Sequence, residues 1–214
     1  MADVTIYGVA PSTYVRSARM ICEEKGVSHE LEGIEFGSPG HLAIHPFSKM
    51  PGFRHGDVVL YETTAIGVYV DEAFDGPALQ PADAAARARM LQWMSATVDY
   101  GYQGLVRELI VPRIVIPARG GETDMEMIAG AKERNEHFLG LADDATGGGY
   151  LVGDALSLAD LLLIPIVSYI SVTPEGKEML ANTKNLAAWL ARMSERPSFT
   201  ATIPPPPTDR KAAK

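Results

Sequence analysis
The spacing of apolar residues changes along the chain, and the changes divide it into two parts. In the first part, short β-rich runs alternate with helical periods. Val4 to Tyr7 reads as a short buried strand. Ala10-Pro11-Ser12-Thr13 is a turn with helix-start chemistry. Val15, Ala18, Ile21 and Cys22 then recur on one helical face, which predicts a helix from Val15 to Lys25, stopped by Gly26. Val27 to Ile34 alternates well enough for a second strand, and Phe36 to Ala43 reads as loop and short helix. Gly52 to Arg54 and Val58 to Tyr61 flank His55-Gly56-Asp57, the pattern of a hairpin. Glu62-Thr63-Thr64 opens a helix with threonine as its cap, because Ala65, Ile66, Tyr69 and Val70 share one face. The order is β-α-β-(α)-β-β-α, and a parallel pair joined by the first helix requires a right-handed crossover.

Asp75 to Pro81 is turn-rich and too short for a flexible linker, so it reads as a join. Beyond it every periodic segment is helical. Ala82 to Glu108 carries Ala, Arg, Met, Leu and Trp at helical spacing, with Gly101 and Gly104 as candidate bend points. Further helices are expected from Met125 to Leu141, from Leu158 to Ser171 and from Thr183 to Glu195. The second of these is apolar nearly all round, hence buried, and Pro165 should kink it. Ser157 and Asp160 before it form a capping box with Asp in the usual Glu position. The expected domains are 1–76 and 82–203, with 204–214 as an extended, fraying tail that includes Pro204 to Pro207.

Composition narrows the function classes. The chain has 214 residues, 46% of them hydrophobic, and a net charge of −8. That suits a globular protein, and an acidic surface without a basic run argues against nucleic acid or an anionic membrane as partner. The longest apolar run, Leu161 to Val167, falls far short of a membrane span. Met1-Ala2-Asp3-Val4 lacks the basic start of a signal peptide. Cys22 is the single cysteine, so no internal disulfide forms and a reducing cytoplasm is the expected location. Its helical face predicts that it packs as a small hydrophobe. His41, His45 and His55 do not form a metal pattern and read as solvated loop histidines, and no metal site is expected.

The stretch from His45 to Tyr69 resembles the glutathione transferase family. There a Lys or Gln, an apolar residue and a cis-proline precede a hairpin, and a Glu-Ser pair opens the next helix. Lys49, Met50, Pro51, Glu62 and Thr63 stand at those positions. From the residues alone, Pro51 is either trans at a strand edge or cis in a tight turn, and the resemblance implies cis. Thr63 keeps the hydroxyl of the usual Ser, while Gly52 and His55 replace the more usual Ala and Asp. Gly153-Asp154 and the Ser157–Asp160 box resemble the folding signature of the family's helical domain, ~90 residues away as domain sizes require. Thr173 to Lys177 and Leu186-Ala187-Ala188-Trp189 look like the end of the phi class.

The resemblance implies an α/β thioredoxin-like N-terminal domain followed by an all-α C-terminal helical domain, with glutathione as cosubstrate. Met50 would pair with the tripeptide as an added strand. Thr63 and the helix start would hold the γ-glutamyl carboxylate, Glu62 its ammonium, and Lys49 a carboxylate. His41 could reach the glycine carboxylate. Glutathione's thiol, titrating near ~8.5 when free, needs a donor. Ser12 matches the family's catalytic serine by its step to Arg16, and Thr13 competes with it. Tyr7 and Tyr14 are weaker candidates, and Ser12 as a mere helix cap is the plain alternative. No cysteine occupies the turn, which argues against disulfide-type chemistry. Tyr100, Tyr102, Val106 and Arg107, beside Tyr14 and Phe36, are expected to line a pocket for a small hydrophobic electrophile. The implied protein is a cytoplasmic homodimeric transferase. The alternatives are a non-catalytic scaffold on the same fold and a glutathione-dependent isomerase or dehalogenase.

Overall fold
Four strands make one small mixed sheet. β1 (Val4–Tyr7) pairs in parallel with β2 (His29–Glu32) and antiparallel with β3 (Gly52–His55), which pairs antiparallel with β4 (Val58–Tyr61), in the order β2-β1-β3-β4. The computed structural model describes residues 4–205, so most of the expected tail lies outside the described residues. The second strand is shorter than its sequence pattern. It is an edge strand with β1 as its one neighbour, and the ladder ends where β1 ends, at Tyr7 opposite Glu32. Helix α1 (Thr13–Lys25) crosses between β1 and β2, and its predicted inner face is fully buried, with Val15, Ala18 and Cys22 at 0% exposure. The short α2 (Pro39–Ile44) precedes β3, and α3 (Thr63–Ala73) follows β4.

The segment after α3 is fastened rather than free. The buried Lys25 ammonium donates to the Asp71 carboxylate at 3.2 Å and to the Pro77 carbonyl at 3.2 Å, while Asp71 also accepts from the Leu79 N–H at 2.8 Å. Beyond it α4 (Ala84–Ala96) runs into a π-helix, Thr97–Val115, and the short α5 (Ile116–Ala118). This long element corrects the expected helix ending near Glu108. Gly101 and Gly104 serve as contact points with α6 (Met125–Ala145). A Cβ on Gly101 would sit 2.7 Å from the Phe138 ring, and one on Gly104 2.0 Å from the Asn135 side chain. Asn135 in turn donates to the Gly104 carbonyl at 3.2 Å. Glycine at the seam lets the α6 side chains Phe138 and Asn135 pack directly on the backbone of the π-helix.

A short 3-10 turn, Thr146–Gly148, leads to α7 (Leu158–Ile170), the centre of the helical part. Its residues are buried almost without exception, which fits a helix apolar on all sides. The helix continues through Pro165 as one element. The stretch from Thr173 starts α8 (Pro174–Ala181): the Thr173 hydroxyl accepts from the Gly176 N–H at 3.0 Å, and Pro174 occupies the first turn. Helix α9 (Lys184–Ser194) and α10 (Pro197–Ala201) close the described chain. The Arg196 guanidinium grips Glu24 of α1 through two bonds of 2.7 and 2.6 Å, tying the end of the helical part to the sheet layer. Among the described residues no single helix is long and apolar enough to cross a membrane.

Candidate functional site
The sheet register assembles the site. Tyr7 lies opposite Gly52, and Gly52 opposite Tyr61, so the three chain segments just beyond these residues meet at one end of the sheet. They are the corner from Gly8 to Ser12, the Met50-Pro51 pair, and Glu62-Thr63. The first two touch: a Cβ on Gly8 would lie 2.5 Å from Val15 and 3.4 Å from Met50, so only glycine fits. The Met50-Pro51 bond is cis.

Ser12 is the N-cap of α1, and its hydroxyl oxygen accepts from the Val15 N–H at 3.4 Å. Capping uses a lone pair and leaves the O–H free to donate. The cap role and the donor role are therefore compatible in one residue. Thr13, the competing donor, is the first helical residue and is buried. The Tyr7 hydroxyl accepts from Arg54 at 3.3 Å, which likewise leaves its O–H free.

Glu62 takes φ 68° and ψ 116°, a left-handed conformation that costs a non-glycine residue free energy and recurs at functional corners. The cap of α3 departs from the threonine cap expected. Glu62 is the N-cap residue and contributes no side-chain bond to the helix end. The Thr63 hydroxyl is buried, with Thr63 5% exposed, and has no partner among the described residues. A buried hydroxyl without a partner is costly, and here it sits at a helix N-terminus whose first N–H groups also favour an anion.

Two histidines differ from their expected solvated state. His41 is 4% exposed, and both ring nitrogens are used: Nδ1 accepts from the Gly37 N–H at 3.2 Å and Nε2 donates to the Lys49 carbonyl at 2.8 Å. Through these two bonds His41 fixes the Lys49 backbone. His45, 2% exposed, packs its ring against Tyr61 with centroids 5.1 Å apart, and its Nδ1 has no partner among the described residues. Burial holds its pKa below the ordinary histidine value, with Glu62 pulling the other way. Sequence reasoning missed His45, and no local pattern marks it. The Lys49 side chain is exposed at the rim.

Of the six residues expected to line an electrophile pocket, three come together. Tyr14 of α1 stacks on Tyr102 of the π-helix, with centroids 4.6 Å apart and planes inclined by 18°. The Arg107 guanidinium lies 5.4 Å from the Tyr102 ring centroid. The Tyr14 hydroxyl is buried without a partner among the described residues. Burial raises its pKa above the ordinary phenol value, the Tyr102, Glu62 and Asp99 groups add to this, and Arg107 opposes it. Phe36 instead packs edge-on against His41 at 5.3 Å, Val106 is in the core, and Tyr100 faces outward at 66% exposure. Cys22 is buried in α1, its thiol pushed up to about 12 by burial. Among the described residues no group of three or more His, Cys, Asp or Glu side chains converges as a metal site.

Comparison with known proteins gives a consistent picture. A family model described as "Glutathione S-transferase, N-terminal domain" matches residues 6–78, and one described as "Glutathione S-transferase, C-terminal domain" matches residues 106–197. The chain is 28% identical to glutathione S-transferase 1 of Triticum aestivum, over 99% of this chain and 98% of that one. It is 30% identical to glutathione S-transferase F14 of Arabidopsis thaliana, over 87% and 78%. The structure of glutathione S-transferase III in its apo form superposes with a TM-score of 0.87 at 28% identity, covering 96% of this chain and 100% of that one. A theta class glutathione S-transferase from Xanthomonas axonopodis pv. citri, solved with glutathione bound, gives 0.83 at 28% identity, covering 97% and 100%.

Proposed function
Because this chain belongs to the glutathione S-transferase family, we propose that it is a transferase that binds glutathione at the end of its sheet and activates the thiol for attack on a small electrophile or a peroxide. The observation that carries the reading is Thr63. Its buried hydroxyl has no partner among the described residues and stands at the start of α3, beside the strained Glu62 corner. The γ-glutamyl carboxylate satisfies that hydroxyl and the helix N–H groups, and Glu62 receives the ammonium next to it. Met50, at the corner beside the cis bond to Pro51, pairs with the tripeptide backbone, and Lys49 at the rim meets a carboxylate. His41 acts as a positioning residue that holds the Lys49 carbonyl.

Ser12 is the thiol donor in this reading. Its O–H is free while its oxygen caps α1, so it donates to the sulfur, and the helix dipole favours the thiolate. The thiolate then attacks the electrophile, a detoxifying conjugation. Thr63 provides the test. Calorimetry should find glutathione binding to the wild type and a roughly ten- to hundred-fold weaker affinity for Thr63→Val, the worth of one hydrogen bond to a charged group. A wild type that binds no glutathione, or a variant that binds as tightly, would sink the reading.

A cytoplasmic homodimer completes the proposal. Two surface features support a two-fold assembly. Phe47 is 65% exposed beside Tyr61 and Val59, and the helical part carries an apolar cleft of about 470 Å³ lined by Trp93, Ala96, Tyr100, Phe138 and Leu141. Light scattering should read twice the chain mass of 23.0 kDa, and the chain mass alone would refute the dimer.

A further inference from the structure
Lys49 and Met50, which face the tripeptide in the transferase reading, sit at the end of a turn that two buried histidines close. We propose that His41 and His45 make this turn a proton-released latch: with both rings neutral it holds glutathione, and proton uptake in weakly acidic solution opens it and lets the ligand go. The inference rests on the transferase reading and adds to it a control of binding by pH.

The His41 ring stands between one group that can only donate, the Gly37 N–H, and one that can only accept, the Lys49 carbonyl. Its Nδ1 lies 3.2 Å from the first and its Nε2 2.8 Å from the second. Both bonds form in one state alone, the neutral ring with its proton on Nε2. A proton added at Nδ1 removes the acceptor and sets N–H against N–H, so the bond to Gly37 is lost. At 4% exposure, water does not replace that bond while the turn is closed. Gly37 precedes α2 and Lys49 follows it, so the ring ties together the two ends of the α2 segment.

His45 adds a second condition. It is the C-cap of α2, 2% exposed, with its ring centroid 6.5 Å from that of His41. Tyr61 of β4 and Phe47 pack on it at 5.1 and 6.4 Å. Its Nδ1 has no partner among the described residues, so a cationic ring would bury an N–H without an acceptor. Of the charged groups around it, Glu62 at the start of α3 favours the cation, whereas His41 and Lys49 join burial in opposing it. Ser48, between the histidines and Lys49, takes φ 51°, a left-handed conformation that a non-glycine residue keeps only while its surroundings impose it. Breaking the His41 tie therefore frees Lys49 and Met50 together. The closed turn holds the His45 pKa below that of a solvated ring, so closure is fully favoured above the ordinary histidine value of ~6.5 and is lost as pH falls below it.

The probe is S-methylglutathione, which has no thiol to titrate and keeps its carboxylates charged at pH 5. Calorimetry compares its affinity for the full chain at pH 7.5 and pH 5.0, with circular dichroism following the fold at both. Wild-type affinity should fall by about ten-fold or more, the loss for a site that must shed a proton from a group titrating about one unit higher. At pH 6, in buffers of different ionisation heat, wild-type binding should release protons. His41→Gln with His45→Asn puts an amide at each place, with one donor and one acceptor and nothing to titrate. Whatever its affinity at pH 7.5, that double variant should hold it within about two-fold at pH 5.0. Wild-type affinity that persists at pH 5.0, binding without proton release, global unfolding in place of release, or a double variant that keeps the wild-type fall would each overturn the latch. In each of these cases binding at pH 7.5 leaves the transferase reading standing. A wild type that does not bind S-methylglutathione at pH 7.5 brings down both.

Discussion

Asp160 at the start of α7 offers the sharpest quantitative test of the fold. The sequence marks it as half of a capping box, and a plain cap contributes typically ~1 kcal/mol. The structure gives it more to do. One carboxylate oxygen accepts from the Leu151 N–H at 2.9 Å and the Trp189 indole N–H at 2.9 Å. The other accepts from the Ser157 N–H at 3.0 Å and the Ser157 hydroxyl at 2.8 Å. All four residues are buried, Asp160 and Trp189 at 0% exposure. Asp160→Ala strands three N–H donors, since only the serine hydroxyl can turn elsewhere, and each stranded buried donor costs about 1–3 kcal/mol. Part is returned, because burial penalises the carboxylate and pushes its pKa up. The net expectation is a loss of about 3–5 kcal/mol, the range for breaking a buried polar group from one side. The assay is urea unfolding followed by tryptophan fluorescence, at one fixed protein concentration, comparing midpoints at constant slope. Trp189→Phe supplies the second arm, and the double variant should cost about 1–2 kcal/mol less than the two singles together. Glutathione affinity per folded molecule should hold. A loss below about 1 kcal/mol, or a fully additive pair, would refute the four-donor account.

Two further outcomes follow from α1, one at its N-terminal cap and one in its last turn. Ser12→Ala should move the rising limb of the pH–rate profile for an aryl halide back up toward the free-thiol value near ~8.5, and lower kcat at neutral pH by roughly ten- to a hundred-fold. The sign is fixed because a donated bond stabilises thiolate over thiol; if Thr13→Ala alone shifts the profile, the donor is one residue further on. Cys22, buried with its thiol pushed up to about 12, should resist a disulfide reagent in the native protein and react fully in denaturant, and Cys22→Ala should keep turnover within a few-fold. Rapid native labelling would mean that α1 does not pack as described.

What the sequence by itself determined was whatever a few neighbouring residues decide together. The hairpin around His55-Gly56-Asp57, the stop at Gly26, the Ser12 cap and the Ser157–Asp160 box all depend on partners within a turn or two, and each was legible. The residues from Lys49 to Thr63 were marked through the family resemblance, and strand pairing brings their two corners to one end of the sheet. What the tertiary structure decided was which polar groups end up with partners and which without. His41 and Lys49 occupy each other through a loop closure. Thr63, expected to cap its helix, is left unpaired, and Asp160 gains the indole of Trp189 from a helix 29 residues on. Gly101 and Gly104 looked like bends, and became contacts only because α6 packs there. Tyr14 meets Tyr102 across the boundary between the sheet layer and the helices. Such pairings join different segments of the chain, and their free energy arises from burial that exists only once both segments are packed, so no local pattern of residues encodes them.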